Sequence, residues 1–113
     1  MHELAITEAI VRSAVPKAQA AGAKRIITIK LKLGALSDIV PSYIEYYLQY
    51  AAKGTIAEGS KIQVETIPVR IKCFACGRES ELERHTYKCP VCSSDEFKVI
   101  QGREYFIDSL EVE

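Results

Sequence analysis

Apolar residues near the start of the chain recur at helical spacing. Ile6, Ala9, Ile10, Ala14 and Ala18 share one face, and the pattern predicts a helix over residues 4–20. Pro16 lies inside it. Proline has no N–H, and its ring clashes with the carbonyl four residues back, here that of Arg12, so a kink or an interruption is expected. Gly22 is placed to close the helix. The period then drops to two. In "RIITIKLKLG", Ile27, Ile29, Leu31 and Leu33 alternate with Thr28, Lys30 and Lys32, the pattern of a strand with one buried face.

Helical spacing returns in "VPSYIEYYLQYAAKG", where Ile44, Tyr47, Leu48 and Ala51 form the apolar stripe. Pro41 suits the first turn, where no N–H is needed, and Gly54 can end the helix. Four of the six tyrosines lie here, and their rings are expected to cover core while their hydroxyls reach water. After a turn at Gly59, Ile62 and Val64 alternate with Lys61, Gln63 and Glu65 as a further strand. Pro68 cannot donate to a sheet and marks a break. A cysteine-bearing segment, residues 73–92, follows, and two strand-like pieces, "EFKVI" and "EYFIDSLEVE", close the chain around Gln101-Gly102. The order predicts an α+β fold of two helices on a small mixed β-sheet, with a cysteine module inserted before the last strand. The domain boundaries read as 1–68 plus 101–113 for the discontinuous α+β domain and 69–100 for the module.

Composition bounds the chemistry. The 113 residues are enough for one domain or two small modules, and 48% are hydrophobic, as in ordinary globular proteins. No apolar run approaches the roughly 18 residues that cross a bilayer, and no signal peptide opens the chain. A cytoplasmic protein without a membrane partner is therefore expected. Fifteen basic residues balance fifteen acidic ones: residues 1–60 carry seven and five, residues 61–113 eight and ten. Nucleic acid needs a basic patch or stripe, so it is disfavoured as a partner.

The four cysteines carry the sharpest signal. "CFACGRESELERHTYKCPVC" sets Cys73 and Cys76, then Cys89 and Cys92, with twelve residues between the pairs. Each Cys-x-x-Cys can turn around one ion, and two such turns bring four sulfurs to a tetrahedron, the geometry of structural zinc. In a cytosolic chain this outweighs disulfides, with iron in the same cage as the chemical alternative. Four sulfurs leave no open coordination position, so such a zinc would not catalyse. Gly77 follows the first pair, where a left-handed backbone is often needed, and Ser93 holds that position in the second. His85, between the pairs, reads as a solvated loop residue rather than a ligand.

Other chemistry is sparse. There is no phosphate-binding loop and no Gly-x-Ser-x-Gly, and two histidines leave little room for a Ser-His-Asp arrangement. Glu79, Glu81 and Glu83 read as a solvated acidic face. An enzyme is not expected.

The second histidine, His2, stands in "MHE" at the start. It reads either as an unconstrained surface residue or as part of a chelator. In the second reading, the α-amine of Met1, the amide and imidazole of His2, and the amide or carboxylate of Glu3 close fused rings around one ion. Deprotonated amides and an amine in one plane favour Ni(II) or Cu(II).

The chain resembles the HypA/HybF family of nickel metallochaperones in hydrogenase maturation. The resemblance runs essentially end to end. It rests on "MHE", "LGALSDIVPS", "GTIAEG", "CFAC", "CPVC" and the terminal "GREYFIDSLEVE". It implies a nickel domain and a zinc-ribbon-like zinc domain built on four cysteines. It implies transferred Ni(II) at Met1, His2 and Glu3, and structural Zn(II) at Cys73, Cys76, Cys89 and Cys92. It further implies delivery to the large subunit of a NiFe hydrogenase, with a HypB-type GTPase as partner and urease maturation proteins served by some members. A homodimer is among the assemblies it allows. Pro16 and Ser93 depart from the family pattern, and neither is a ligand. The rival readings are a zinc-ribbon interaction module without nickel delivery and a dithiol redox protein with exposed, low-pKa thiols.

Overall fold

The computed structural model describes residues 2–83 and 86–113. The elements are α1 (Glu3–Ala20), β1 (Ile26–Gly34), α2 (Pro41–Ala51), β2 (Lys61–Ile67), β3 (Val69–Cys73), β4 (Glu79–Leu82), β5 (Phe97–Gln101) and β6 (Tyr105–Val112). They form two three-stranded sheets, ordered β2-β1-β6 and β4-β3-β5. The chain divides into two compact units: residues 1–32, 38–65 and 106–113, and residues 33–37 and 66–105. This is the α+β class the sequence predicts, and the cysteine module has a sheet of its own.

In the first unit, α1 and α2 supply the helical layer. The buried face of α1 is Glu3, Thr7, Ile10, Val11, Ala14 and Ala18. The predicted stripe is therefore corrected at its start: Ile6 is half-buried, Ala9 is exposed, and a carboxylate and a hydroxyl take the inner positions instead. The Thr7 hydroxyl is satisfied there, donating to the Glu3 carbonyl one turn back. Of the two outcomes expected at Pro16, a kink or an interruption, the interruption does not occur: α1 runs through it. Pro16 is exposed, and on the solvent side a helix tolerates a lost bond because the freed carbonyl can turn to water. The helix ends as expected. Gly22 has φ +79°, Ala23 N–H donates to Ala18 O and Gly22 N–H to Gln19 O, the paired bonds of a Schellman motif.

β1 is the central strand and the most buried. Ile26, Ile29, Leu31 and Leu33 are inside, so Ile26 rather than Ile27 begins the inner face and the alternation slips by one residue. Its polar face is paired to both neighbours: Lys32 Nζ lies 3.8 Å from Glu65 of β2 and 3.9 Å from Asp108 of β6. Arg25 and Glu113 exchange backbone hydrogen bonds at one end of the β1–β6 pair. At the other end Gly34 N–H donates to Glu104 O, so these two strands run antiparallel.

α2 starts on Pro41 and buries Ile44 and Leu48. The expectation that its tyrosines cover core is corrected. Tyr43, Tyr46 and Tyr50 are 53%, 53% and 59% exposed, and only Tyr47 is half-buried. With Ile44 and Leu48 filling the inner positions, the rings at 43, 46 and 50 fall on the outer side, where Tyr46 and Tyr50 pack on each other at 5.5 Å between centroids.

In the second unit Pro68 separates β2 from β3, as its missing N–H predicts. β3 pairs antiparallel with β4 and β5, and Ile71, fully buried, stands opposite Ser80 and Val99. Val69, Ile71, Cys73 and Cys89 form the core, with Leu82, Phe97 and Val99 packed against it. Glu81 and Glu79 of β4 are exposed and register against Arg70 and Lys72, which fits the expected solvated acidic face. A tight backbone crossing completes the unit. A Cβ on Gly34 would lie 2.1 Å from the carbonyl oxygen of Gly102, which itself accepts from Leu36 N–H.

Candidate metal centre

The two Cys-x-x-Cys turns are built alike. Cys73 N–H donates to Arg78 O and Gly77 N–H to Cys73 O; Cys89 N–H donates to Ser94 O and Ser93 N–H to Cys89 O. The residue after each pair takes a left-handed backbone, Gly77 at φ +74° and Ser93 at φ +64°. Ser93 thus adopts the same left-handed conformation as Gly77, at the modest cost that a side chain there entails.

These turns bring the sulfurs together. All four Sγ atoms lie within 4.8 Å of one another, with Cys73 to Cys92 at 3.5 Å and Cys76 to Cys89 at 3.8 Å. Sulfurs about 2.3 Å from a central ion in a regular tetrahedron are about 3.8 Å apart, so the cluster has the dimensions of a tetrathiolate cage. Cys73 and Cys89 are buried, while Cys76 and Cys92 are exposed. The cage therefore has an inner side continuous with the small core and an outer side toward solvent.

The backbone favours thiolate at the leading cysteine of each turn. The N–H of Cys76, with that of Ala75, holds Cys73 down at about 7, against an ordinary value of 9.0. The N–H groups of Cys92 and Val91 lower Cys89 in the same way. Cys92 is the counterpart. The N–H of Ser94 pulls it down, but the neighbouring sulfur of Cys73, burial, and the sulfurs of Cys76 and Cys89 outweigh that and raise it to about 11. Four negative sulfurs at this spacing repel, and a divalent cation removes the repulsion. The residue set therefore fits a metal ion, and a fifth ligand is unnecessary. His85 lies outside the described residues.

The N-terminal triad is placed differently. Met1 lies outside the described residues. His2 is exposed and caps α1 through its backbone, its carbonyl accepting from Ile6 N–H at 2.9 Å, with no side-chain capping bond. Glu3 is 4% exposed, and its carboxylate accepts from Val40 N–H, the cap of α2, at 3.3 Å. Sequence reasoning missed this tie, because Glu3 and Val40 are 37 residues apart and meet only when the two helices pack. Its one legible hint is the absence of an acidic residue in the first turn of α2, which leaves that helix N-terminus to be met by a carboxylate from elsewhere.

Comparison with known proteins covers the whole chain. The family model described as "Hydrogenase/urease nickel incorporation, metallochaperone, hypA" matches residues 1–112. The hydrogenase maturation factor HypA of Moorella thermoacetica is 36% identical over 113 residues, covering 100% of both chains. That of Thermococcus onnurineus is 33% identical over 134 residues, covering 100% of this chain and 96% of its own. In fold, the solution structure of the Ni metallochaperone HypA from Helicobacter pylori superposes with a TM-score of 0.69 at 18% identity, over 99% of this chain and 97% of that one. A second solution structure of a HypA protein gives 0.74 at 19% identity, over 99% and 96%. A four-sulfur metal cage in an α+β chain matched from residue 1 to residue 112 leaves one assignment: the chain belongs to the HypA family of nickel metallochaperones for hydrogenase maturation.

Proposed function

We propose that this chain binds Ni(II) at its N-terminus and delivers it to the large subunit of a NiFe hydrogenase, without catalytic turnover of its own. The observation that carries the reading is the end-to-end match to a nickel-incorporation family, in a chain that begins Met-His-Glu. Nickel is cargo here. Its donors are the α-amine of Met1, the amide and imidazole of His2, and Glu3.

The local structure supports this assignment. The described helical bonds of α1 begin with Ile6 N–H to His2 O, so amide ligation at positions 2 and 3 need not cost the helix a bond. The exposed His2 imidazole can turn to an incoming ion. The Glu3 carboxylate is held inward on Val40 N–H, which favours its amide as the fourth donor and makes the side chain the anchor of the chelate. The first unit is then the nickel domain and the second the zinc domain. In the zinc domain Cys73, Cys76, Cys89 and Cys92 hold Zn(II), whose preference for closed tetrathiolate cages in small folds makes it the fitting ion.

The family's task supplies the partners: a HypB-type GTPase, the hydrogenase large subunit, and urease maturation proteins where the organism has urease. The setting is the cytoplasm. No helix among the described residues is long and apolar enough to cross a membrane.

Calorimetric titration of the untagged protein and of a form extended before Met1 tests the reading. One equivalent of Ni(II) is expected on the native chain and none at this site on the extended one, with zinc unchanged in both. Equal nickel binding by the two forms overturns it.

A further inference from the structure

Thr7 is fully buried in α1, at 0% exposure, on the same inner face as Ile10, Val11 and Ala14. A hydroxyl in such a place costs free energy unless it is bonded, and valine would fill the same shape without that demand. Among the described residues the Thr7 hydroxyl has one partner, the carbonyl of Glu3 one turn back. Helix geometry gives that oxygen the Thr7 N–H as well, so Thr7 holds it twice. The carboxylate of the same Glu3 accepts from Val40 N–H at the start of α2. Glu3 is thus fixed through its main chain by Thr7 and through its side chain by α2. It lies in the first turn of α1, where helices otherwise fray.

We infer that Thr7 is a positioning residue for nickel: its hydroxyl fixes Glu3 and so holds the third residue of the chelate in place before the ion arrives. The inference rests on the reading of Met1, His2 and Glu3 as the nickel donors. A chelate assembled from a frayed end must order that end on binding, and the entropy lost weakens the complex. With the Glu3 carbonyl pinned, the peptide plane after Glu3 is set, the first turn stays wound, and fewer residues remain to be ordered. The amide nitrogens of His2 and Glu3 lie on the N-terminal side of this pin, so the Thr7 bond survives loading. Thr7 touches no donor atom; it acts through the Glu3 backbone, and its loss shows mainly as faster release.

Thr7→Val keeps the shape and removes the hydroxyl, whereas Thr7→Ser keeps the hydroxyl. Untagged, zinc-loaded full chains of the parent and both variants are compared in nickel titration, in nickel release to a chromophoric chelator and in thermal melts. Thr7→Val is expected to bind nickel about threefold to tenfold more weakly, the effect of one hydrogen bond, with release faster by a similar factor. Its melting temperature and zinc content should match the parent, because valine brings no unpaired donor and the Glu3 carbonyl keeps its helical bond. In the metal-free variant, amide exchange at Ile6 and at position 7 should quicken. Thr7→Ser is expected to release nickel at the parent rate. Parent-like release by Thr7→Val overturns the inference, as does unchanged exchange at these two amides. So does Thr7→Ser releasing nickel as fast as Thr7→Val, or a loss of nickel that tracks a fall in melting temperature. The chain extended before Met1 separates this from the donor assignment beneath it. If the extended chain takes up nickel as the parent does, the assignment fails and Thr7 with it. If extension abolishes uptake while Thr7→Val releases nickel as the parent does, only the role of Thr7 fails.

Discussion

The sulfur of Cys73 lies 3.5 Å from that of Cys92, the far member of the other turn, closer than the 3.8 Å between Cys76 and Cys89. The cage is thus cross-braced between turns. Removing the metal with a strong chelator is expected to loosen β3 and the Cys89 loop while α1 and α2 keep their helicity. Backbone amide spectra with and without chelator check this. Under oxidising conditions the first disulfide of the stripped protein is expected between Cys73 and Cys92, identified by peptide mapping.

Metal affinity at this cage is expected to fall as pH falls. All four sulfurs must be thiolates to ligate, and the metal-free chain holds a proton on Cys92, raised to about 11, more firmly than on Cys73, lowered to about 7. Raising the pH removes the competing protons and strengthens binding; lowering it through 7 protonates Cys73 as well and weakens binding further. Metal release to a chromophoric chelator at several pH values measures the slope.

His2→Ala is expected to abolish the high-affinity nickel site and leave the melting temperature unchanged, because the His2 side chain is exposed and caps nothing. Nickel absorption spectroscopy and a thermal melt together read both parts. An unaltered nickel spectrum would remove His2 from the ligand set.

Glu3→Gln is expected to behave in the opposite way. An amide retains an acceptor for Val40 N–H but loses the charge, so the fold survives with a melting temperature lowered by several degrees. Nickel affinity should fall less than in His2→Ala if the side chain serves as an anchor. Glu3→Ala, which leaves Val40 N–H without this acceptor, should cost more stability than Glu3→Gln in the same thermal measurement.

Gly34→Ala is expected to destabilise the second unit by about 3 kcal/mol or more, since the added carbon would meet the Gly102 carbonyl oxygen at 2.1 Å and the obstacle is backbone. Ile71→Ala, at a fully buried position in a core of few residues, is expected to cost about 2–5 kcal/mol. Chemical denaturation followed by backbone spectra at the second unit checks both.

Local interactions made much of this protein legible in one dimension. The strand at 26–34, the helix begun by Pro41, the break at Pro68 and the two Cys-x-x-Cys turns all follow from residues within a few positions of one another. The cage was legible because its turn geometry is local, repeated and chemically narrow. What the sequence could not determine depends on which distant segments meet. Glu3 and Thr7 look like solvent-facing polar residues until α2 brings Val40 N–H to one of them and the helix backbone satisfies the other. The tyrosines of α2 look like core because aromatics usually are, and only the packing of Ile44 and Leu48 turns Tyr43, Tyr46 and Tyr50 outward. Pro16 looks like a break because its local cost is certain, whereas the surroundings that let the helix continue are a tertiary fact. Sequence alone set the elements and the metal chemistry, since both arise from short-range sterics and ligand identity. Tertiary structure decided which polar groups are buried with partners and which aromatic rings face outward, since both depend on contacts between residues far apart in the chain.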